Sequence, residues 1–297
     1  MRRTPALLLS LFLLVGCAAP FDIRPGDLDD GTRAPQSNLV SASLSDEAKQ
    51  KPVVVAAHGY GATPYETSLV AEALRNRGIP VSEVALGGHG SHIREFAKTT
   101  WKTWEAPVIA EYQRLKAAGF QKVGILATST GGALVIEAIS RKAIDPVDRL
   151  VMVAPIVGFA DGRAAYLMPL SYLGVSANID PKGGSLGRWY RNRPASSVAS
   201  LIDLTEIVRA RLAKGIQFPE TAKTLIIQST RDKTVHPSSA SIIRSGLHGG
   251  VVQVDMVDSG RHIPVWPDGA SDQPWTDAEK ALRETLMQQI ADHFASW

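Results

Sequence analysis

Ser129 of the 297-residue chain lies among small residues, in a setting that suits a nucleophile. Ser129 lies in the segment Ala-Thr-Ser-Thr-Gly-Gly, between a short apolar run and an apolar helical pattern. A sharp strand–turn–helix connection, known as a nucleophile elbow, exposes a serine hydroxyl and requires small residues two places before and after the serine. Ala127 and Gly131 meet this requirement. Taken alone, the segment is also compatible with a helix start that Ser129 merely caps.

An aspartate and a histidine follow later in the chain, in the order that serine hydrolysis on an α/β sheet requires. Asp232 comes after a predicted strand at 225–228, and His262 comes after a predicted strand at 251–257. The carboxyl ends of parallel strands meet at one edge of a sheet, so we expect Ser129, Asp232 and His262 to lie close together there. The histidine would accept the serine proton, and the aspartate would orient the imidazole ring.

Two other aspartates are alternatives for the acid. Asp255 is in the middle of a predicted strand, and Asp258 is only four residues before His262. Both positions fit the expected arrangement less well than Asp232 does. His236, next to Pro237, is typical of a helix start rather than of a catalytic base.

No metal site and no cofactor are predicted. His58, His89 and His92 are the histidines that could be read as metal ligands, but they lack helical pair spacing and no cluster of carboxylates accompanies them. The single cysteine excludes an internal disulfide and a cysteine-based zinc or iron–sulfur site.

The pattern of the chain indicates an α/β fold with a mostly parallel sheet and helices on both faces. Short runs rich in β-branched residues alternate with helical patterns, and several runs are continuously apolar, as expected for strands that are covered on both faces. The predicted strands are 53–57, 81–86, 123–127, 150–154, 225–228 and 251–257.

Helix start signals accompany two of the predicted helices. Thr63, Pro64 and Glu66 form the pattern of a capping box with proline at the first helical position, and Gly78 marks the end of that helix. A second capping box begins at Thr276 and starts the last helix.

One long interval, 155–220, breaks the alternation and is interpreted as an inserted helical cap. It has no clear strand, it is too long for an ordinary connection, and a helical pattern covers 201–214. Its aromatic residues could line an acyl pocket or form the core of the cap itself. They are Phe159, Tyr166, Tyr172, Trp189 and Tyr190.

The amino terminus has the pattern of a secretory leader. A basic start precedes an apolar run at 6–15, which is too short for a stable membrane span. Leu14, Val15, Gly16 and Cys17 resemble the lipobox of bacterial lipoproteins. The resemblance implies cleavage before Cys17, lipidation of its thiol, and an outer-membrane anchor that faces the periplasm. An ordinary cleaved signal with an incidental cysteine is the alternative.

These boundaries predict a signal peptide at 1–16, a tether at 17–50 and a hydrolase-like domain at 51–297. The net charge of +3 comes from 32 basic and 29 acidic residues, and part of the excess lies in the leader. Without the leader, the remaining net charge is too small to indicate a basic surface for a nucleic-acid partner.

Together, these residues resemble the α/β-hydrolase family, in particular its branch of monoacylglycerol lipases and small bacterial carboxylesterases. The resemblance runs from about 53 to 262 and includes the motif His58-Gly59-Tyr60-Gly61, the segment Gly88-His89-Gly90 and the Trp101–Trp104 region. It implies an oxyanion hole made of the backbone N–H groups of Tyr60 and Thr130, a structural role for the first histidine, and no cofactor. Ala127 and Thr130 depart from the residues that are usual in the family.

The leading hypothesis is a serine hydrolase that cleaves carboxylic esters, with a small ester or lipid-like molecule as its substrate and an acyl-enzyme as its intermediate. A thioesterase or an acyltransferase would use the same three residues. A protein of another class, a non-catalytic envelope lipoprotein that uses the fold for binding, is the further alternative, because a fold alone does not establish function. The sequence assigns no oligomeric state.

Overall fold

The computed structural model describes residues 37–160, 176–178, 188–190, 192–268 and 273–297. The predicted strands are all present, with ends that differ by at most a few residues. They are β1 (Val53–Ala57), β2 (Val81–Val84), β3 (Val123–Thr128), β4 (Arg149–Val153), β5 (Lys223–Ser229) and β6 (Val251–Val257). These six strands form one parallel sheet in the order β6-β5-β4-β3-β1-β2.

Helices cover both faces of this sheet, as predicted. The described helices are α1 (Asp46–Lys49), α2 (Ser68–Arg75), α3 (Ile93–Phe96), α4 (Trp101–Ala117), α5 (Thr130–Ser140), α6 (Ala195–Lys214), α7 (Ser238–Gly246) and α8 (Asp277–Ala295). Alternate side chains of β1 point to opposite cores: Val53 and Val55 pack with α4 and α5, whereas Val54 and Ala56 pack with α2 and α8. The doubly covered sheet explains why its inner strands are apolar on both faces. In the described part of the chain, the helices all fall short of the length and apolarity that a bilayer span needs.

The capping box predicted at Thr63 is wrong. A 3-10 helix, Pro64–Thr67, precedes α2, and the Thr63 side chain makes no capping hydrogen bond. The Glu66 side chain turns inward instead and accepts a hydrogen bond from the backbone N–H of Gly59 at 2.7 Å. The backbone of this loop is buried, so its N–H group needs a protein acceptor, whereas a helix start at the surface can use water.

The amino-terminal part of the described chain packs on the domain. Asn38 pairs with Glu83 of β2 through two backbone hydrogen bonds, and Arg114 of α4 donates to the carbonyl of Val40 at 2.7 Å. The folded part therefore includes residues 37–50, which the sequence analysis assigned to the tether. The signal peptide and Cys17 lie outside the described residues.

The insert contains a short pair of strands as well as a helix. The predicted helical pattern corresponds to α6, which packs against α4, α5 and α7. A short antiparallel pair, Ser176–Asn178 with Asn192–Pro194, precedes it and was not predicted. Strands of three residues carry too little periodicity to be recognised in a sequence. Tyr166 and Tyr172 lie outside the described residues.

The predicted capping box of the last helix is confirmed and gives a stability test. The Thr276 hydroxyl accepts from the N–H of Glu279, and the Glu279 carboxyl accepts from the N–H of Thr276 at 2.9 Å. We expect Thr276→Ala to lower the free energy of unfolding by about 1 kcal/mol, because the cap is lost. Urea denaturation measures the change. Thr285→Ala, at an exposed position inside the same helix, is the control and should be neutral. Equal losses for both variants would contradict the capping role.

Candidate active site

Ser129 stands at a strained turn between β3 and α5. Its φ of 47° and ψ of −115° lie outside the regions that ordinary residues favour. The turn brings β1 so close that a Cβ at Gly131 would lie 2.5 Å from the carbonyl oxygen of Ala57. A Cβ at Gly132 would lie 2.7 Å from the side chain of Pro155. Glycine is therefore required by close approach at both positions.

His262 joins the serine to the aspartate. Its Nε2 lies 3.0 Å from Ser129 Oγ, and its Nδ1 lies 2.7 Å from Asp232 Oδ2. A carboxylate only accepts hydrogen bonds, so Nδ1 carries a proton toward Asp232 and Nε2 is left to accept the serine proton. The Asp232 side chain is fully buried, and His262 keeps 12% of its side chain exposed. The structure thus brings the three residues together at the carboxyl edge of the sheet.

Backbone and side-chain donors hold the Asp232 carboxyl group in place. Its Oδ1 accepts from the N–H groups of Thr234 at 2.7 Å and Val235 at 3.1 Å. Its Oδ2 accepts from the Gln228 side-chain amide at 3.2 Å as well as from the histidine. Such donors compensate the burial of a carboxylate and fix its orientation. Sequence reasoning missed Gln228, which it treated only as the end of a strand.

The alternative candidates for the acid and the base lie away from Ser129 and His262. Asp258 pairs with Arg231 at 2.7 Å, and its side chain is 81% exposed. The Asp255 carboxyl group accepts hydrogen bonds from the side chains of Gln253 and Gln289. Neither aspartate contacts His262 in the described part of the molecule. His236 is exposed and hydrogen-bonds Ser238 at the start of α7, which agrees with its interpretation as a helix-start residue.

Two backbone N–H groups next to Ser129 are available as donors. Within the described residues, the N–H groups of Tyr60 and Thr130 have no acceptor. Thr130 is the first residue of α5, where the helix dipole favours negative charge. The loop that carries Tyr60 touches the elbow: a Cβ at Gly59 would lie 3.1 Å from Ser129 Cβ. The positions predicted for an oxyanion hole therefore flank the serine.

His58 supports this loop with both of its ring nitrogens. Nε2 accepts from the N–H of Leu86 at 3.0 Å, and Nδ1 donates to the carbonyl of Gly59 at 2.9 Å. Burial lowers the pKa of His58, and burial lowers the pKa of the neighbouring His89 well below its usual value. His92 lies at the surface as the N-cap of α3. No three histidine, cysteine or acidic side chains converge into a metal-binding group anywhere in the described ranges.

The three aromatic residues of the insert that the structure describes lie in different surroundings. Trp189 lies 5.7 Å from Trp266, whose ring lies 6.1 Å from that of His262, so Trp189 belongs to the wall beside the site. Tyr190 is buried and stacks on Phe96 at 4.6 Å, which makes it part of the core. Phe159 pairs with Val235 through a backbone bridge, in the loop after Asp232.

Solved structures of other proteins share this architecture. A metagenome-derived lipolytic enzyme from a study of LipS and LipT superposes with a TM-score of 0.67 and 19% identity, over 88% of this chain and 98% of the other. The monoacylglycerol lipase of Paleococcus ferrophilus superposes with a TM-score of 0.62 and 14% identity, over 82% and 96%. The chain has the α/β-hydrolase fold.

Sequence comparisons add the class of activity. A family model described as "Serine aminopeptidase, S33" matches residues 48–180, which include Ser129 and end before Asp232 and His262. The chain is 26% identical over 233 residues to the thermostable monoacylglycerol lipase of Bacillus sp. (strain H-257), covering 77% of this chain and 90% of that enzyme. This protein is a hydrolase of the esterase and lipase type.

The structural role of His58 can be tested directly. We expect His58→Leu to lower the free energy of unfolding by about 1–3 kcal/mol, because the buried N–H of Leu86 loses its acceptor. The alternative role of His58 is that of a metal ligand. If the role is structural, a chelator such as EDTA should leave activity unchanged. His92→Asn keeps an acceptor for the N–H of Arg94 and serves as the control, with little change expected.

The pH dependence of folding checks the same histidine. The pKa of His58 is lower in the folded protein than its ordinary value of 6.5, so the unfolded chain binds more protons just below that pH. Stability should therefore fall as the pH drops below about 6.5, and His58→Leu should weaken this dependence. Loss of activity in EDTA with recovery on adding zinc would contradict the structural role.

Proposed function

We propose that this protein hydrolyses carboxylic esters through a Ser129–His262–Asp232 triad and an acyl-enzyme. The observation that carries the proposal is the continuous hydrogen-bonded path from Ser129 Oγ through the imidazole of His262 to Asp232. The strained turn at Ser129 and the two N–H groups beside it support the same conclusion, since acyl transfer needs a nucleophile, a base and donors for the oxyanion.

The reaction follows from this geometry. His262 Nε2 takes the proton of Ser129 as Oγ attacks the ester carbonyl carbon, and Asp232 stabilises the resulting imidazolium. The negative oxygen of the tetrahedral intermediate accepts hydrogen bonds from the N–H groups of Tyr60 and Thr130. His262 then gives its proton to the departing alcohol, which leaves an ester of Ser129. Water, activated by the same histidine, attacks this ester and releases the acid.

A lipid-like ester is the substrate class we propose. Two of the similar proteins are named monoacylglycerol lipases, and another is described as lipolytic. The wall beside His262 is aromatic, with the ring of Trp189 in contact with those of Trp266 and Tyr65. Sites for small molecules are mostly apolar with a few placed polar groups, which suits an acyl chain or a glycerol ester next to the triad.

The triad is tested with protein that lacks residues 1–17 and with p-nitrophenyl esters of increasing chain length. We expect Ser129→Ala to lower kcat by about 10⁶-fold and to abolish labelling by a fluorophosphonate probe. Asp232→Asn should lower kcat by about 10⁴-fold, because the imidazole takes the wrong tautomer. Asp258→Asn, at the exposed rival position, is the matched control and should stay near the wild-type rate.

Each alternative predicts a different result in these assays. A non-catalytic binding protein would neither turn over esters nor react with the probe. A thioesterase would favour acyl thioesters over the oxygen esters of the same chain length. A larger loss for Asp258→Asn than for Asp232→Asn would move the acid assignment.

We also propose that Cys17 carries a lipid anchor in the outer membrane of a bacterial envelope. The support is the lipobox-like segment before Cys17 and the alanine after it. The full chain should partition with membranes and incorporate a palmitate analogue, and Cys17→Ser should do neither. One acyl chain gives only marginal binding, so multiple lipidation is needed for a stable anchor. Equal labelling of both proteins would refute lipidation at Cys17.

A further inference from the structure

Glu66 is a buried carboxyl group that the triad does not contain, yet it contacts both sides of the site. Its side chain is almost fully buried. Oε1 accepts from the N–H of Gly59, in the proposed oxyanion loop, at 2.7 Å. The same oxygen accepts from the hydroxyl of Thr128, the residue directly before Ser129. One oxygen atom therefore joins the loop after β1 to the elbow after β3.

The other oxygen of Glu66 reaches the insert. Oε2 accepts from the indole N–H of Trp189 at 3.3 Å. Two further bonds connect the same pieces of chain: the N–H of Tyr190 donates to the carbonyl of Gly61 at 2.9 Å, and the hydroxyls of Tyr60 and Ser197 lie 2.5 Å apart. The loop that carries the Tyr60 N–H is thus held from the sheet side and from the insert.

The space around Glu66 shows how closely its position is defined. A Cβ at Gly59 would lie 2.9 Å from Glu66 Oε1, so the glycine lets the carboxyl group approach the loop backbone. The N–H of Gly59 donates to Glu66. The next N–H along the chain, that of Tyr60, has no acceptor in the described residues. Fixing one peptide unit restricts the direction of the next, because the peptide bond is planar and only two dihedrals separate adjacent units.

We infer that Glu66 is a positioning residue for the oxyanion hole: it orients the Tyr60 N–H relative to Ser129 by holding Gly59 and Thr128 on one carboxyl oxygen. The inference rests on the proposed function, since it assigns Glu66 a role in that same site. Misplacing a group by about 1 Å can lower a rate by about 10²-fold, so loss of this anchor should be visible in catalysis.

The experiment compares Glu66→Ala, Glu66→Gln and wild type by kcat and KM on a p-nitrophenyl ester, with the rate divided by the fraction of sites that a fluorophosphonate titrates. Glu66→Ala should lower kcat by roughly 10- to 100-fold with little change in KM. Its inhibition constant for an alkyl boronic acid, which forms a tetrahedral adduct on serine, should rise by a similar factor. Glu66→Gln keeps a carbonyl oxygen for the Gly59 N–H and should recover most of the rate.

A matched control separates positioning from general stability. Glu111 is also a buried glutamate, and it pairs with Arg114 and Ser82 away from the site. Glu111→Ala should lower the melting temperature while kcat per titrated site stays at the wild-type value. If Glu66→Ala does not fold, Glu66→Asp withdraws the carboxyl group by one methylene and should lower kcat in the same direction.

Two results would overturn the inference. One is a kcat per titrated site within threefold of the wild type for Glu66→Ala, or for Glu66→Asp where the alanine variant does not fold. The other is a loss of rate without a matching loss of boronic acid affinity. Failure of the proposed function appears separately, as wild-type protein without esterase activity or as a Ser129→Ala variant that retains it.

Discussion

The backbone turn at Ser129 is the constraint on which the site depends. A φ of 47° at a residue with a side chain is unfavourable and persists only where the surroundings determine it fully. Here β3 is an inner strand of the sheet and α5 is buried, and the neighbouring backbone of β1 approaches so closely that only glycine fits at Gly131. The same close approach brings the Gly59 loop against the serine. The strain and the proximity of the donors are therefore two results of one packing arrangement.

Polar groups in the site are buried, and their hydrogen-bond partners come both from adjacent residues and from other loops. Asp232 is held by the N–H groups that follow it and by Gln228, and His58 joins the loops after β1 and β2. Unpaired buried polar groups are unfavourable, so these contacts make the loop positions interdependent. The loops at this edge of the sheet are therefore held by hydrogen bonds as well as by packing.

The strands, and the proximity of Ser129, Asp232 and His262 at their ends, could be predicted because the signals are local. Continuous apolar runs identify strands covered on both faces, and the loop positions of Asp232 and His262 follow from those strands. Glu66 was assigned to a capping box because its spacing from Thr63 fits one. Its actual donors come from the loop after β1, the end of β3 and the insert, and no local spacing reports those contacts. The fold boundary near residue 50 was placed too late for a similar reason, since Asn38 finds its partner on β2.

That pairing also has a consequence for association between chains. β2 is the outer strand at one end of the sheet, and an exposed strand edge is a template for unwanted pairing with another molecule. Asn38 satisfies both backbone groups of Glu83, while the hydroxyls of Ser37 and Ser82 accept from the N–H groups of Ala85 and Val40. The short segment thus satisfies backbone groups of this edge that would otherwise be available to a second chain. A fragment that begins at β1 would lack this segment and would leave the edge of β2 exposed.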